Sequence, residues 1–238
     1  MTEDSPIEES REAPSLERRS IGASFVPNPN RSIAYRIFRG ALHGLIRLFF
    51  RPRVEGPGRV PADGPVIIAP VHRSNVDFSL AIFVTNRKMF FIAKDSLWKF
   101  APISRFLEAM GAFPVNRSSA DRSALNHAEE VLRAGQALVL FPEGTRQDGP
   151  FVAELLEGAA FLSARTGAPI IPVGIGGSAK AMPKGAKIPR PARIVLYVGE
   201  AIDPPAKNEK GRVPRSVVHE TTEALKREIQ DCFDRASA

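Results

Sequence analysis

The chain has 238 residues, which suits one large domain or one domain plus an arm, and 43% of them are hydrophobic, enough to fill a sizeable core. A net charge of +7 and an isoelectric point near 9.9 call for acidic partners: nucleic acid, anionic lipid or a phosphorylated substrate. The single cysteine, Cys232, excludes an internal disulfide; no Cys/His cluster has metal-ligand spacing, and no helix-turn-helix, zinc-finger or RNA-binding aromatic signature supports nucleic acid.

Residues 1–30 are polar, rich in Glu, Ser and Pro, and end in Pro27-Asn28-Pro29-Asn30. Without an apolar core they are no signal peptide, and they read as a disordered arm. Residues 31–52 follow as an amphipathic helix. Arg36, Arg39, His43 and Arg47 recur at three- and four-residue steps and make one narrow basic stripe. Ile37, Phe38, Ala41, Leu42, Leu45, Leu48 and Phe49 cover the broad opposite face. No uncharged apolar run reaches the ~18 residues that a spanning helix needs. Two readings stand for this helix: it lies in a bilayer interface, stripe at headgroup level, or it packs its apolar face on the core.

Residues 53–238 read as one α/β domain, a largely parallel or mixed sheet flanked by helices. Val66 to Ala69 is a buried strand, and Phe78 to Val84 continues as an apolar helix. Further strands are Met89 to Ala93, Ala112 to Val115, Ala137 to Phe141, Pro169 to Ile175 and Arg193 to Val198. Helices are expected at Leu97 to Met110, Asp121 to Ala134 with Gly135 as C-cap, Val152 to Arg165, and Arg215 to Arg235. Strands alternating with helices argue for βαβ units. Cys232, in the charged last helix, reads as a bystander.

Between the first strand and its helix stands His72-Arg73-Ser74-Asn75-Val76-Asp77. On one helix, positions five apart differ by roughly 140°, so His72 and Asp77 cannot face each other there. They meet if His72 lies in the loop and Asp77 in the first helical turn, with Ser74 as N-cap. Asp77 then fixes the tautomer of His72, whose other ring nitrogen is left as a base. That is the base-and-orienter half of a triad with no attached nucleophile. The same Ser74-x-x-Asp77 spacing also fits a capping box, which would make Asp77 structural.

Other strand exits carry polar residues that a core does not need: Lys94, then Arg117, then Glu143-Gly144-Thr145-Arg146. If the strands are parallel, these exits share an edge with His72. Arg presents a planar fork to phosphate oxygens, Lys a point charge, and Gly144 lets backbone amides approach an anion.

His72 to Asp77 resembles the HxSxxD block of the glycerolipid acyltransferases typified by 1-acylglycerol-3-phosphate acyltransferase. Gly111 to Arg117 resembles that family's second block, Phe141 to Arg146 its FPEGTR block, and Ile170 to Val173 its fourth block, all in the family's order. The resemblance spans roughly residues 50–200; HxxxxD alone is weak, and together with FPEGTR it is strong. Gln147 stands where a serine is frequent, and Ser104 where many relatives have a glycine.

The resemblance implies an acyltransferase domain over 53–238 with His72 and Asp77 as catalytic residues. Arg117, Glu143, Gly144, Thr145 and Arg146 would bind the acceptor's phosphate, with Lys94 a further candidate. It implies no metal and no cofactor, an acyl-CoA or acyl-carrier-protein co-substrate, and lysophosphatidic acid as acceptor. The product would be phosphatidic acid, made by a peripheral or monotopic protein on the cytoplasmic face of the cell membrane, at anionic lipid. Glycerol-3-phosphate or another lysophospholipid as acceptor, and a non-catalytic protein binding anionic lipid, are the alternatives.

Overall fold

The computed structural model describes residues 33–56, 58–94, 111–115, 122–183, 185–186, 188–209 and 211–238. The arm 1–30, the helix expected at Leu97 to Met110, Ser104 and Arg117 lie outside these residues. The described elements are α1 (Ile33–Phe50), β1 (Arg53–Glu55), β2 (Val66–Pro70), α2 (Asp77–Leu80), a 3₁₀ turn (Ala81–Phe83) and β3 (Met89–Lys94). There follow β4 (Ala112–Val115), α3 (Arg122–Arg133), β5 (Ala137–Val139), α4 (Gly158–Thr166), β6 (Ile170–Gly176), α5 (Ser178–Ala181), β7 (Val195–Val198) and α6 (Arg215–Ser237).

The strands form one seven-stranded sheet in the order β1-β7-β6-β2-β5-β3-β4. β6, β2, β5, β3 and β4 run parallel; β7 is antiparallel to β6, and β1 parallel to β7. The exits of β2, β3, β4 and β5 therefore share one edge, as expected. β2 is buried at every position, which is why its sequence is apolar without alternation. Its neighbours β5 and β6 are later in the chain and lie on opposite sides of it, so its exit sits at the crevice where open α/β sheets bind ligands.

α3, α4 and α6 pack in a row, α3 against β4 and β5, α4 against β2 and β6, α6 against β6 and β7. Glycine permits the closest of these approaches: a Cβ on Gly176 would stand 1.8 Å from the Ala236 carbonyl oxygen of α6, and one on Gly174 2.0 Å from that of Cys232. Glu129 of α3 ties α3 to α4 by accepting from Arg165 of α4, as well as from Arg133 of its own helix.

α1 divides its apolar surface. Ile46 and Phe50 are buried in the core and Leu42 packs against it, whereas Ile37 (68% exposed), Leu45 (63%) and Leu48 (79%) face outward. At ~100° per residue these sets occupy adjacent arcs. The basic stripe is not wholly at the surface. Arg39 donates to the carbonyls of Ile82, Thr85, Asn86 and Arg87, and His43 stacks on Phe83 with centroids 3.9 Å apart. Two of the four residues expected at headgroup level thus hold α1 to the segment before β3.

Four elements differ from expectation. α2 is a single turn and passes into the 3₁₀ turn at Ala81–Phe83. The helix expected from Val152 begins only at Gly158, because the amides of Val152, Ala153 and Leu156 donate to Gln230, Glu143 and Pro142 instead of to a helical turn. β1 and α5 are short elements without a clear periodic signal.

Candidate active site

β2 carries the chain to the exit edge, where Val71 N–H donates to the Val173 carbonyl of β6 at 3.0 Å and the backbone then leaves the sheet at His72. The His72 side chain is 13% exposed and its ring lies over Phe141, centroids 4.3 Å apart. Nδ1 is 2.9 Å from Asp77 Oδ2. A carboxylate only accepts, so Nδ1 carries the proton and Nε2 presents its lone pair. Among the described residues no hydrogen bond engages Nε2.

Asp77 is the first helical residue of α2 and fully buried. Its Oδ2 also accepts from Arg73 N–H and Ser74 N–H, both at 2.7 Å. The orienting and the structural reading of Asp77 are thus met by one oxygen. Ser74 is not the N-cap: Val76 occupies that position with no side-chain cap, and Ser74 Oγ donates to the Met182 carbonyl at 2.8 Å.

The neighbouring exit, that of β5, leads into the 141–146 loop. Glu143 is buried, one oxygen accepting from His72 N–H at 2.8 Å and both accepting from Arg73 Nη1 at 2.9 Å. Ala153 N–H donates to the other oxygen, Oε1, at 3.0 Å. Glu143 therefore faces inward, onto the His72 loop. Gly144 has φ +70°, and a Cβ there would meet Leu156 at 2.8 Å. Its amide and that of Thr145 donate to Phe141 and Glu143 carbonyls, so both close the turn and neither is left for an anion. Thr145 is exposed and accepts from Gln147 Nε2 at 3.1 Å. Arg146 is half-buried, and no hydrogen bond or ion pair holds its guanidinium among the described residues.

Lys94 ends β3, one strand beyond β5, and its side chain is not among those described. β4 is the next strand, so its exit towards Arg117 lies three strands, roughly 14 Å, from that of β2.

Arg73 is the residue that spacing arguments overlook. It is 2% exposed, donates to Glu143, to its own loop at the His72 carbonyl, and to the carbonyls of Gly149 and Phe151, and lies over the Phe233 ring of α6 at 4.9 Å. Gln230 of α6 braces the same loop through Pro150 and Val152. A charged residue beside a base within a short block is its one sequence signal.

A model of the acyltransferase family matches residues 51–176, more than half of the chain, including His72, Arg73, Asp77 and Glu143 to Arg146. The chain belongs to the acyltransferase family. Among its relatives, the 1-acyl-sn-glycerol-3-phosphate acyltransferase of Bacillus subtilis is 27% identical over 171 residues, covering 71% of this chain and 82% of that one. The chloroplastic 1-acyl-sn-glycerol-3-phosphate acyltransferase BAT2 of Brassica napus is 26% identical over 142 residues, 58% of this chain. This chain spans 41% of the length of that protein. The crystal structure of the 1-acyl-sn-glycerophosphate (LPA) acyltransferase PlsC from Thermotoga maritima superimposes with a TM-score of 0.67 at 26% identity, covering 86% of this acyltransferase chain and 83% of the other.

Proposed function

We propose that this chain transfers a fatty acyl group from a thioester donor, acyl-CoA or acyl-carrier protein, to the sn-2 hydroxyl of 1-acyl-sn-glycerol-3-phosphate, giving phosphatidic acid for phospholipid synthesis. The observation that carries this reading is the 2.9 Å contact from His72 Nδ1 to Asp77 Oδ2 at the exit of the central parallel strand, with Nε2 unengaged. Binding an anionic lipid requires no such pair, and the names of the relatives point to the same acceptor.

In this mechanism His72 Nε2 takes the proton of the acceptor hydroxyl. The oxygen attacks the thioester carbonyl carbon, and the tetrahedral intermediate collapses with loss of the thiolate, which takes the proton back from the imidazolium. Asp77 compensates the imidazolium charge while that proton is held. General-base help of this kind is worth ~10²–10⁴-fold, and positioning the hydroxyl supplies much of the rest. No acyl-enzyme is required. Cys232 is buried in α6 and Ser74 Oγ is committed to Met182. Arg146 and Arg117 would hold the acceptor's phosphate, Lys94 and Thr145 lying on the same edge. No bound cofactor or metal enters this scheme.

The protein would work on the cytoplasmic face of the cell membrane, docked on anionic lipid. No helix among the described residues is long and apolar enough to cross a membrane. What supports docking is the outward arc of α1, together with exposed Phe78, Phe151 and Ile188, which follow the exits of β2, β5 and β6. A lysophospholipid leaves a bilayer only at ~0.8 kcal/mol per methylene, so an enzyme seated there receives its acceptor sideways. The test is an assay of the purified protein with acyl-CoA and acyl-carrier-protein donors against 1-acylglycerol-3-phosphate, glycerol-3-phosphate and neutral lysophospholipids. Turnover confined to glycerol-3-phosphate would move the acceptor, and no turnover with any of them would favour a lipid-binding protein.

A further inference from the structure

The end of α1 meets the catalytic edge away from the acceptor loops. Arg53 pairs with Val195, and Val195 with Gly176 at the end of β6. Because Pro70 pairs with Val173, the starts of β1 and β7 stand level with His72 and Arg73, and Arg51 and Arg193 stand two residues further out. Two strands, β7 and β6, separate β1 from β2, so the two lie three strand spacings, roughly 14 Å, apart.

At this corner Arg51, Arg53 and Arg193, with Leu48, Phe49, Pro191 and Ala192, line a groove of about 680 Å³. All three arginines are exposed, and no side-chain hydrogen bond or ion pair engages their guanidinium groups among the described residues. Glu55, two residues along β1, forms no ion pair with them. Arg51 is also the one non-glycine residue with positive φ among the described residues, +44°. Helices favour Gly or Asn there, so an arginine holds a disfavoured backbone at the point where its charge joins the groove.

We propose that Arg51, Arg53 and Arg193 form a cradle for the phosphate of an anionic membrane lipid, separate from the acceptor's phosphate site. The lipid is favoured because Leu48, 79% exposed, and Phe49 border the same groove and belong to the outward arc of α1. An apolar rim at acyl level and unpaired guanidinium forks at phosphate level match a lipid's own layering. With Arg39 and His43 turned into the protein, this corner takes over the headgroup contact from the stripe. The cradle rests on the docking of α1 proposed above, and its test separates the two.

Co-sedimentation of the full chain is measured with vesicles of phosphatidylcholine alone and of phosphatidylcholine mixed with phosphatidylglycerol. Each basic residue at an anionic surface is worth roughly fivefold in partitioning, so R53Q should weaken binding to the mixed vesicles about fivefold. The triple variant R51N/R53Q/R193Q, with Asn chosen to tolerate the positive φ, should weaken it on the order of 100-fold with an unaltered melting temperature. Binding to phosphatidylcholine alone should not change. The charge-matched variant R212Q/R215Q/R227Q should lose far less. Equal losses in the two triple variants, an unaffected cradle variant, or a loss of the same size on neutral vesicles would each overturn the cradle. A higher KM for acyl-CoA in neutral detergent, with vesicle binding intact, would reassign the arginines to the donor and overturn it as well. L48S/F49S should weaken binding to both vesicle types; if it changes neither, the docking of α1 fails, whatever the arginines show.

Discussion

Arg73 and Glu143, 70 residues apart in sequence, form a buried ion pair that joins the His72 loop to the FPEGTR loop, Nη1 standing 2.9 Å from both carboxylate oxygens. The same carboxylate holds the His72 amide, so the position of the base depends on a residue expected to touch substrate. Removing one partner of a buried pair leaves the other charge uncompensated and costs about 3–5 kcal/mol. Glu143→Gln should lower the urea midpoint accordingly and reduce kcat. R73M/E143L, apolar on both sides, should recover much of the stability but not kcat, because the His72 amide still lacks its acceptor. Recovery of both together would make the pair a matter of stability alone.

His72→Ala should abolish transfer while the fold persists, and near-normal turnover would refute the mechanism. Asp77→Asn is the more discriminating change. An amide oxygen placed at Oδ2 can still accept from Arg73, Ser74 and His72, so the loop keeps its shape. The negative charge facing the imidazolium is lost. A fall in kcat of about 10²–10⁴, with a modest fall in melting temperature, is expected. Unchanged kcat with a large thermal loss would leave Asp77 only its structural role.

Arg146→Ala, and Arg117→Ala beside it, should chiefly raise the KM for a phosphorylated acceptor. Arg146 has no partner to lose among the described residues, so its removal should leave stability within about 0.5 kcal/mol. Steady-state kinetics with each substrate varied in turn makes the check. A rise confined to the thioester donor would place these arginines on the donor's phosphates.

Burial first, and then Asp231 and Glu228, push the Cys232 thiol up from 9.0 to about 12. A thiolate is therefore negligible near neutral pH, and thiol reagents should label the protein only once it is unfolded. With the folded pKa raised, the associated stability is present below pH 9.0 and is lost as pH climbs towards about 12. Cys232→Ala should remove this alkaline loss and leave turnover unchanged. Rapid labelling of the native protein would contradict the burial of Cys232.

Much of the site was legible because its pieces are local. His72 and Asp77 lie five residues apart across a strand exit, and a loop followed by one helical turn brings them within hydrogen-bond reach whatever the rest of the chain does. The parallel block was legible as well, since apolar runs such as Val66 to Pro70 suit strands covered on both faces. The role of the 152–157 segment was not. Its composition suits a helix, but tertiary partners on α6 and at Glu143 take its amides.

The sequence by itself determined the apolar and polar periods, the order of the blocks and hence the family. These follow from backbone geometry and side-chain chemistry acting over a few residues. Only the tertiary structure decided where the charges go. Arg39 and His43 belong to a stripe that suits a membrane, yet one is held by four carbonyls and the other by Phe83. Glu143 belongs to a block that suits a substrate, yet it closes on Arg73. A charged side chain takes the partner that the sheet register sets beside it once water is excluded, and that partner can be 70 residues away, beyond the reach of any periodicity.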